Sequence, residues 1–403
     1  MTGGCVIVRL RVLYGAPHER FCTNRGEKMI SQFASQLAKI LTEYSSPVQS
    51  GEYITIVGNG STTGPLVEAL VEAVLRRGGF PNVQLAAPIS PDYCDHFELF
   101  MRLASDQQLD TLDSTIMHWV EVSDAIFFIK APSNTSALAT IEPERINRWR
   151  RAARPYSERY LQRYNEGKLR WTVVGWPTQA LAQAAEMGLH AYTEFVYKAC
   201  GLDQPDPVAH WQAFRDRQER LVAWLRDKHH AEVKGPGIDL SFDFGGRPWV
   251  SAHGTVNFPD GEIFTSPIED SVNGTVAFNF PCIYLGNQVE GVRLRFENGV
   301  AVEASADKGQ DFLVRTLDTD EGARRLGEFA IGTNMGIQRM TRSILFDEKI
   351  GGSIHMALGR SYEETGGVNQ SAIHWDMIHD MKDGGEIWID GQLFFRSGEF
   401  LVG

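Results

Sequence analysis

The sequence predicts two domains: an α/β N-terminal domain with a mostly parallel sheet and flanking helices, and a β-rich α+β C-terminal domain. Length is the first observation, because 403 residues exceed the usual size of a single domain. Strand and helix patterns alternate in the first half, whereas short strands and glycine turns prevail after Gly237. We therefore predict an N-terminal extension over residues 1–27, an α/β domain over residues 28–234 and a β-rich domain over residues 235–403.

The elements of the first domain follow one another as helix and strand patterns. Over residues 27–45, apolar residues recur at helical spacing. A βαβ unit is then predicted from the strand YITIVGNG, the helix TTGPLVEALVEAVLRRGG and the strand NVQLAAP. The strand pattern returns in VSDAIFFIKAP and WTVVGWP, on either side of an Arg-rich helix over residues 142–168. A long helix over residues 207–230 runs into KGPG, a break typical of a domain boundary.

Glycine turns and one helix organise the predicted second domain. Three motifs typical of hairpins lie between apolar or alternating runs: PDG at 259–261, ENG at 297–299 and DG at 390–391. PDG leads into GEIFTSP, which places Glu262 at the start of a strand. The segment GARRLGEFAIGTN carries Glu328 and is predicted as a helix or turn, with the helix over residues 321–331.

The stretch SAIHWDMIHD, residues 371–380, predicts a strand that carries polar ligands. Side chains alternate along a strand, so Trp375 and Met377 are expected on one face and His374 and Asp376 on the other. Two neighbouring polar side chains on a stiff strand can hold one cation. The structural alternative is a hydrogen-bonded His and Asp at a sheet edge, so the prediction depends on whether other ligands converge.

Further candidate ligands lie in the same predicted domain: Glu262, Glu328, Glu348, His355 and Tyr362. Carboxylates with imidazoles suit zinc, cobalt or manganese, and a bridging carboxylate can hold two such ions about 3.5–4 Å apart. Taken singly, three of these residues have structural alternatives: Glu262 as a hairpin cap, Glu328 paired with Arg324 or Arg325, and Tyr362 as a packing aromatic.

Composition excludes several classes of partner and location. The net charge of −12 would repel a nucleic-acid backbone or an anionic membrane surface. Five scattered cysteines without close ligand spacing are typical of reduced thiols in a cytosol. The N-terminal VIVRLRVLYG is a poor signal peptide, and no run of 18 apolar residues occurs. We expect a soluble cytoplasmic protein.

Two motifs in the first half invite a binding function. GNGSTTG follows a strand, but its spacing is GxGxxxG and it lacks a Walker lysine, which favours a tight strand-to-helix turn over a nucleotide site. RINRWRRAARPYSERYLQR is basic with interleaved aromatics, as in RNA-binding segments. Within so acidic a chain, a solvated helix face is the favoured interpretation.

Four segments of the second half form a pattern in their order and spacing: NFPDGEIFTSPIEDSVNG, GEFAIGTN, DEKIGGSIHMALG and HWDMI. In these segments the chain resembles the thermophilic aminopeptidases, a metallopeptidase family that includes aminopeptidase T, aminopeptidase S and PepS. PERINRWRRA and RWTVVGWPT extend the resemblance to most of the chain after about residue 28. It implies a homodimeric exopeptidase for short peptides, with two divalent ions per subunit (zinc, cobalt or manganese) held by the β-rich domain.

The resemblance places metal ligands on six positions: Glu262, Glu328, His355, Tyr362, His374 and Asp376. Glu328 is the candidate for the bridge, and Glu348 matches a further glutamate. Glu328 and Glu348 are candidates for proton transfer, and Tyr362 could stabilise the oxyanion. Four histidines fall outside the matched positions and are predicted to be structural: His229, His230, His253 and His379.

Two alternatives stay open at this point. Ring-cleaving dioxygenases for hydroxylated pyridines resemble the same family but use one iron, for which His374, Asp376 and His355 could serve as ligands. Retention of Glu262 and Glu328 favours the two-metal peptidase. The second alternative is a non-catalytic binding protein in which the glycine turn of the α/β half holds a phosphate.

Overall fold

The computed structural model describes residues 24–402, with the backbone alone for residues 24–28. Most of the predicted extension, residues 1–23, lies outside the described residues, and residues 24–27 begin the first helix. Among residues 24–402, no helix combines the length and apolar composition needed to cross a membrane. The α-helices are α1 (Asn24–Ile40), α2 (Gly64–Arg76), α3 (Phe97–Leu103), α4 (Asp106–Leu109), α5 (Ser114–Val122), α6 (Pro143–Asn165), α7 (Gln179–Ala184), α8 (Leu189–Ala199), α9 (Pro207–Leu225), α10 (Gln310–Leu317) and α11 (Ile344–Asp347).

The strands are short and concentrated in the second half of the chain. They are β1 (Tyr53–Gly58), β2 (Phe80–Leu85), β3 (Ala125–Lys130), β4 (Arg170–Gly175), β5 (His230–Gly235), β6 (Ile238–Asp243), β7 (Val250–Ala252), β8 (Asn257–Phe258), β9 (Glu262–Thr265), β10 (Asn273–Ala277), β11 (Cys282–Tyr284), β12 (Asn287–Val289), β13 (Arg293–Glu297), β14 (Val300–Ser305), β15 (Leu326–Gly332), β16 (Ser353–Gly359), β17 (His374–Asp380), β18 (Glu386–Ile389), β19 (Gln392–Arg396) and β20 (Glu399–Phe400).

Parallel strands form the sheet of the first half, in the order β2-β1-β3-β4-β8. Ile54 of β1 lies opposite Pro81 of β2 on one side and Ala125 of β3 on the other. Apolar side chains of the flanking helices, such as Leu37 and Leu70, are buried with those of the strands. The predicted α/β architecture is confirmed, because burial on both faces suits a parallel sheet with helix layers.

Two arginines of the basic helix α6 pair with carboxylates from neighbouring elements. Arg148 makes ion pairs of 2.7 Å with Asp106 and with Asp110. Arg159 lies 2.7 Å from Glu121. These partners favour the interpretation of a solvated, charge-paired helix face over an RNA-binding segment.

Strand β8 joins the first sheet from beyond the predicted domain boundary. It pairs in parallel with β4, with Asn257 opposite Val173 and Phe258 opposite Val174. PDG then connects β8 to β9, which belongs to another sheet. The hairpin predicted at 259–261 is therefore wrong, because β8 hydrogen-bonds to β4 instead of folding back on its successor.

The segment KGPG is a turn within a sheet and not a linker. It joins β5 to β6, which pair as an antiparallel hairpin with Gly235 opposite Ile238. Gly235 and Gly237 adopt positive φ values of 159° and 79°, a conformation that glycine adopts readily. The boundary predicted after residue 234 thus falls inside β5, and α9 ends at Leu225, before the predicted residue 230.

Two antiparallel sheets enclose the core of the second half. One has eight strands, β14-β13-β10-β6-β5-β18-β19-β20, and the other five, β17-β16-β15-β9-β7. Their inner faces share one apolar cluster, in which the rings of Phe242 and Phe329 lie 4.7 Å apart. The hairpins predicted at ENG and DG are confirmed: they join β13 to β14 and β18 to β19. The β-rich character of this half is confirmed as well.

The helix predicted over residues 321–331 is wrong. Residues Glu321–Arg324 form a single 3₁₀ turn, and Leu326–Gly332 form β15, between β9 and β16. Every residue of β15 is buried. A strand flanked by two others satisfies its backbone hydrogen bonds on both edges, which a lone buried helix turn would not.

Candidate metal centre

One face of the five-stranded sheet gathers the predicted ligands. Cross-strand partners share a face, and Gly332 lies opposite Glu262, Ala330 opposite His355, and Ala357 opposite both Glu328 and Asp376. His374 lies two residues before Asp376 on β17, so it shares the same face. The opposite face carries apolar side chains of the shared core: Ile263, Phe329, Ile331, Met356, Trp375 and Met377. The strand predicted for HWD, with its two faces, is confirmed.

A β-bulge at Gly327 turns Glu328 toward this polar face. Leu326 lies opposite Leu358 and Glu328 opposite Ala357, so Gly327 is an extra residue between the two pairs. Residues two apart on a regular strand share a face, yet Leu326 is buried in the core while Glu328 lies among the ligands. The bulge therefore shifts the inward–outward alternation of side chains by one residue, and the Glu328 side chain faces the other ligands instead of the core.

We expect Gly327→Ala to reduce both stability and divalent-ion binding. A β-carbon here would lie 2.3 Å from the carbonyl oxygen of Arg360 and 2.4 Å from that of Gly359, so the backbone itself would have to shift. Overpacking of this kind costs about 1–3 kcal/mol. Denaturant unfolding and calorimetric titration with Mn²⁺ measure the two effects. Gly64→Ala is the control, since its β-carbon would meet no atom within 4 Å; wild-type values for Gly327→Ala would contradict the role of the bulge.

Two groups of ligand atoms share the carboxylate of Glu328. Nε2 of His355 lies 3.2 Å from Oε2 of Glu262 and 3.4 Å from Oε1 of Glu328. Nε2 of His374 lies 3.4 Å from Oε2 of Glu328 and 3.3 Å from Oδ1 of Asp376. The two oxygens of Glu328 thus face different imidazoles. Within each group the ligand atoms lie within 4.8 Å of one another, a spacing that one cation could draw together.

A third group brings Glu348 into the same cluster. Its carboxylate lies with His355 and Asp376, again within 4.8 Å. Glu348 directly follows α11, which ends at Asp347, and it is less buried than Glu328. The residue that matched the family by sequence alone therefore lies beside both ligand groups.

The two histidines present Nε2 to the carboxylates. Nδ1 of His374 lies 2.8 Å from the carbonyl oxygen of Arg360. Because a carbonyl only accepts hydrogen bonds, Nδ1 carries a proton, and once Nε2 has lost its own proton its lone pair faces the cluster. Metal-binding histidines are commonly oriented in this way. Oε2 of the buried Glu262 accepts no hydrogen bond from the described residues, so it is available to a cation.

Lys349 is a member of the centre that the sequence analysis missed. Its side chain is fully buried, and its ammonium donates a hydrogen bond of 3.0 Å to Oε1 of Glu262 and another to Glu348. Oδ1 of Asp260 lies 3.7 Å away. Asp260 also accepts hydrogen bonds from two backbone amides, those of residues 254 and 261. One sequence signal existed: Lys349 lies between Glu348 and the apolar start of KIGGSIHMALG.

Burial and mutual charge shift the pKa values of these groups strongly. Burial raises the pKa of Glu262 to about 8, against the opposing effect of Lys349. Burial acts the other way on His355, but Glu262 and Glu328 outweigh it and raise the pKa of His355 to about 9. The pKa of Asp376 falls to about 2, because His374 outweighs the cost of burial. Protons therefore occupy the imidazoles of the ion-free centre, and a divalent ion must displace them.

Tyr362 borders the centre, whereas two histidines outside the ligand set have other partners. The hydroxyl of Tyr362 lies 3.5 Å from Nε2 of His374, and 43% of its surface is exposed, so it borders the cluster at the rim. His253 lies 2.9 Å from the Tyr44 hydroxyl, and His230 lies 2.6 Å from Asp243. None of the ligand groups among residues 24–402 includes these two histidines, His229 or His379.

A cleft between the two halves leads to the centre. Its volume is about 730 Å³, within the range of ligand sites. Asp376 and Ile378 of β17 form part of one wall, and Ile146 and Arg150 of α6 form part of the other. Apolar side chains from both halves also line the cleft, including Leu181, Ile283 and Phe312. A small substrate could therefore reach the ligands from the side of the α/β half.

Several known proteins are similar to this chain over most of its length. Residues 31–400 match the family described as thermophilic metalloprotease (M29). Aminopeptidase T of Thermus thermophilus is 33% identical over 306 residues, 67% of this chain and 75% of that protein. Aminopeptidase 2 of Geobacillus stearothermophilus is 31% identical over 322 residues, 70% of this chain and 76% of that protein. Aminopeptidase AmpS of Bacillus subtilis is 28% identical over 423 residues, 92% and 98% of the two chains.

Two solved structures share the fold. Wild-type AmpT from Thermus thermophilus superposes with a TM-score of 0.79 at 27% identity, over 93% of this chain and 100% of that one. A 2,5-dihydroxypyridine dioxygenase from Pseudomonas putida gives a TM-score of 0.55 at 14% identity, over 93% and 98%. The second likeness shows the fold alone. The resemblance predicted from the four sequence segments is confirmed.

Proposed function

The chain belongs to the thermophilic metalloprotease family M29, and from this premise we propose that it is an aminopeptidase that hydrolyses the N-terminal bond of short peptides with water activated between two divalent ions. Glu328 carries the two-ion part of the proposal. Each of its oxygens faces a separate imidazole, at 3.4 Å in both cases. A carboxylate placed between two ligand sets is the arrangement that a bridged pair of ions requires.

The charges of the centre fit two divalent ions. Five carboxylates converge there: Asp260, Glu262, Glu328, Glu348 and Asp376. Among residues 24–402, Lys349 is the one permanent cation that pairs with them. Four negative charges then remain when all groups are ionised and the histidines are neutral, and two divalent ions would neutralise them. Buried charges without such compensation are costly.

The residues proposed to hold the ions are Glu262, Glu328, His355, His374 and Asp376, with Glu348 and Tyr362 beside them. Oxygen and imidazole ligands suit zinc, cobalt or manganese. When bound, such ions act as Lewis acids and lower the pKa of a bound water from about 15.7 to about 7. Side chains of the centre carry out the proton transfer and the hydrogen bonding to the oxyanion.

Proton transfer is assigned to Glu348. Burial raises its pKa, so its carboxylate takes up a proton more readily than a solvated one does. Glu348 can accept the proton from the attacking water and deliver it to the leaving amine. Glu328, the other candidate, has both oxygens facing imidazoles. We assign to the Tyr362 hydroxyl, which lies 3.5 Å from Nε2 of His374, the donation of a hydrogen bond to the oxyanion.

We expect the ion-stripped protein to hydrolyse leucine p-nitroanilide after addition of zinc, cobalt or manganese, and not in their absence. Acetylation of the substrate amine should abolish the reaction, because an aminopeptidase requires a free N-terminus. A chelator should also lower the unfolding temperature, since ions that bind the folded chain alone stabilise it. Hydrolysis of the acetylated substrate at the same rate would contradict the exopeptidase assignment.

The mononuclear iron dioxygenase remains the alternative that the same experiment tests. A site built from two histidines and one carboxylate leaves Glu262 and Glu348 without a function, although both belong to the cluster. Oxygen uptake with iron and a hydroxylated pyridine, in protein that cleaves no peptide, would favour it. We further propose a cytoplasmic homodimer, for which gel filtration with light scattering is the direct test.

A further inference from the structure

Basic side chains line the cleft that leads to the acidic metal centre. Three basic residues line it: Lys130, Arg150 and Arg342. Lys130 lies 3.6 Å from Asp92, and Arg342 pairs with Glu186 at 2.7 Å. Arg150 makes no hydrogen bond or ion pair with any residue in the described range 24–402, whereas its helix neighbour Arg151 pairs with Glu144 at 2.8 Å.

Arg150 and the metal centre border the same space. Asp376 and Arg150 both line the cleft, one from β17 and the other from α6. Ile283 and Leu285, on either side of Tyr284 in the chain, line the same cleft. Tyr284 stacks on Trp375, the residue between His374 and Asp376, at a ring distance of 5.3 Å. A ligand bound at the centre can therefore extend through this cleft toward the Arg150 guanidinium.

A peptide has a preferred direction in such a cleft. Its N-terminal amine is attracted to the acidic cluster, where the proposed reaction takes place, so the rest of the chain extends toward α6. An arginine there is always charged and offers a planar pair of donors that matches a carboxylate. The overall charge of −12 repels free carboxylates over most of the surface. An unpaired guanidinium in the cleft is therefore a site that attracts the carboxylate of a peptide.

We propose that Arg150 binds a carboxylate of the substrate on the leaving side of the scissile bond, and that it thereby selects short peptides whose C-terminal carboxylate reaches α6. The proposal rests on the proposed aminopeptidase function. It defines a substrate class, di- and tripeptides with a free C-terminus, in preference to longer chains or amides. An acidic side chain near the leaving end offers the same chemistry and is distinguished by experiment.

The test compares Arg150→Gln with Arg151→Gln in the ion-loaded full-length protein. Leu-Gly-Gly carries a free carboxylate, Leu-Gly-Gly-amide lacks it, and Leu-Glu-amide carries it on a side chain. Arg150→Gln should raise KM for Leu-Gly-Gly about 10- to 100-fold, the value of a lost charge-assisted hydrogen bond, with little change in kcat. The amide should be unaffected, and Arg151→Gln should match wild type on all three substrates. A KM increase for Leu-Glu-amide as well would assign the contact to side-chain carboxylates too.

Calorimetry separates this proposal from the proposed function. Gly-Gly should bind the ion-loaded wild type more tightly than Gly-Gly-amide, and Arg150→Gln should remove that difference. This binding result would support the Arg150 contact whether or not the peptide is cleaved. Absence of cleavage would overturn the aminopeptidase assignment and leave the contact supported. Equal binding of acid and amide by wild type, or equal losses in the Arg150 and Arg151 variants, would overturn the proposal. Glutamine is a good helix former, so both variants should fold.

Discussion

Glu328→Gln is expected to lower kcat for leucine p-nitroanilide by about 10²- to 10⁴-fold, the range lost when a group that positions or activates the reacting water is removed. Glutamine has nearly the same shape but no charge, so it cannot bridge two cations through two equivalent oxygens. Glu328 belongs both to the group with Glu262 and His355 and to the group with His374 and Asp376, and its two oxygens face the two imidazoles. The same variant should bind fewer than two ions per chain, as measured by elemental mass spectrometry.

Glu321→Gln is the matched control for this experiment. Glu321 lies on the 3₁₀ turn that precedes β15, and its side chain is exposed. Its loss of charge should change neither kcat nor the ion content. Retention of two ions and of wild-type kcat by Glu328→Gln would contradict the bridging role. Two retained ions with a low kcat would instead assign Glu328 to proton transfer.

Lys349→Met is expected to destabilise the ion-free protein by about 3–5 kcal/mol, the cost of removing one partner from a buried ion pair. Methionine has a similar length and fills the volume, but it leaves Glu262 and Glu348 without their ammonium partner. The loss should be partly recovered with saturating Mn²⁺, because the ions would then supply the missing positive charge. Denaturant unfolding with and without chelator gives both values.

The destabilisation by Lys349→Met should also depend on pH. Burial raises the pKa of Glu262 to about 8, well above its value in the unfolded chain, and removing Lys349 would raise this pKa further. A carboxyl with a raised folded-state pKa loses stability as pH rises from its unfolded pKa toward its folded one. The deficit should therefore be small near pH 5 and largest near pH 8. Lys308→Met, which breaks an exposed pair with Glu290, should show no such trend; a pH-independent deficit would contradict this account of Lys349.

The strand that carries His374 and Asp376 was predictable because its alternation is regular. Apolar Trp375 and Met377 separate the polar residues by period two, and β17 follows this pattern without interruption. The parallel strands of the first half were predictable for a related reason. Their apolar runs are bounded by glycine and proline, and the helices between them are amphipathic.

The environment of Glu328 was not predictable by the same rule. The bulge at Gly327 places Leu326 and Glu328 on opposite faces, so the segment loses period two and was predicted as a helix. A bulge depends on the partner strand, which sequence periodicity does not describe. The hairpin predicted at PDG failed for a similar reason, because the partner of β8 is β4, far away in the sequence.

Lys349 shows a limit of reasoning by residue type. Lysine is almost never fully buried unless it is paired, so a lysine in the sequence does not by itself indicate a buried position. Its partners Glu262 and Asp260 come from the segment before β9, and their proximity depends on the fold. The candidate ligands were identified because the chemistry of cations selects their residue types. The residue that neutralises them has no such signature.

Strand β8 makes the completion of the first sheet a late event in the synthesis of this protein. The ribosome releases β4 long before residues 257–258, so the first sheet presents an unpaired edge for the whole time in which α9 and the first antiparallel strands are made. Exposed edges recruit strands of other chains. Because PDG joins β8 directly to β9, the pairing of β8 with β4 also fixes the point from which β9, and with it Glu262, begins.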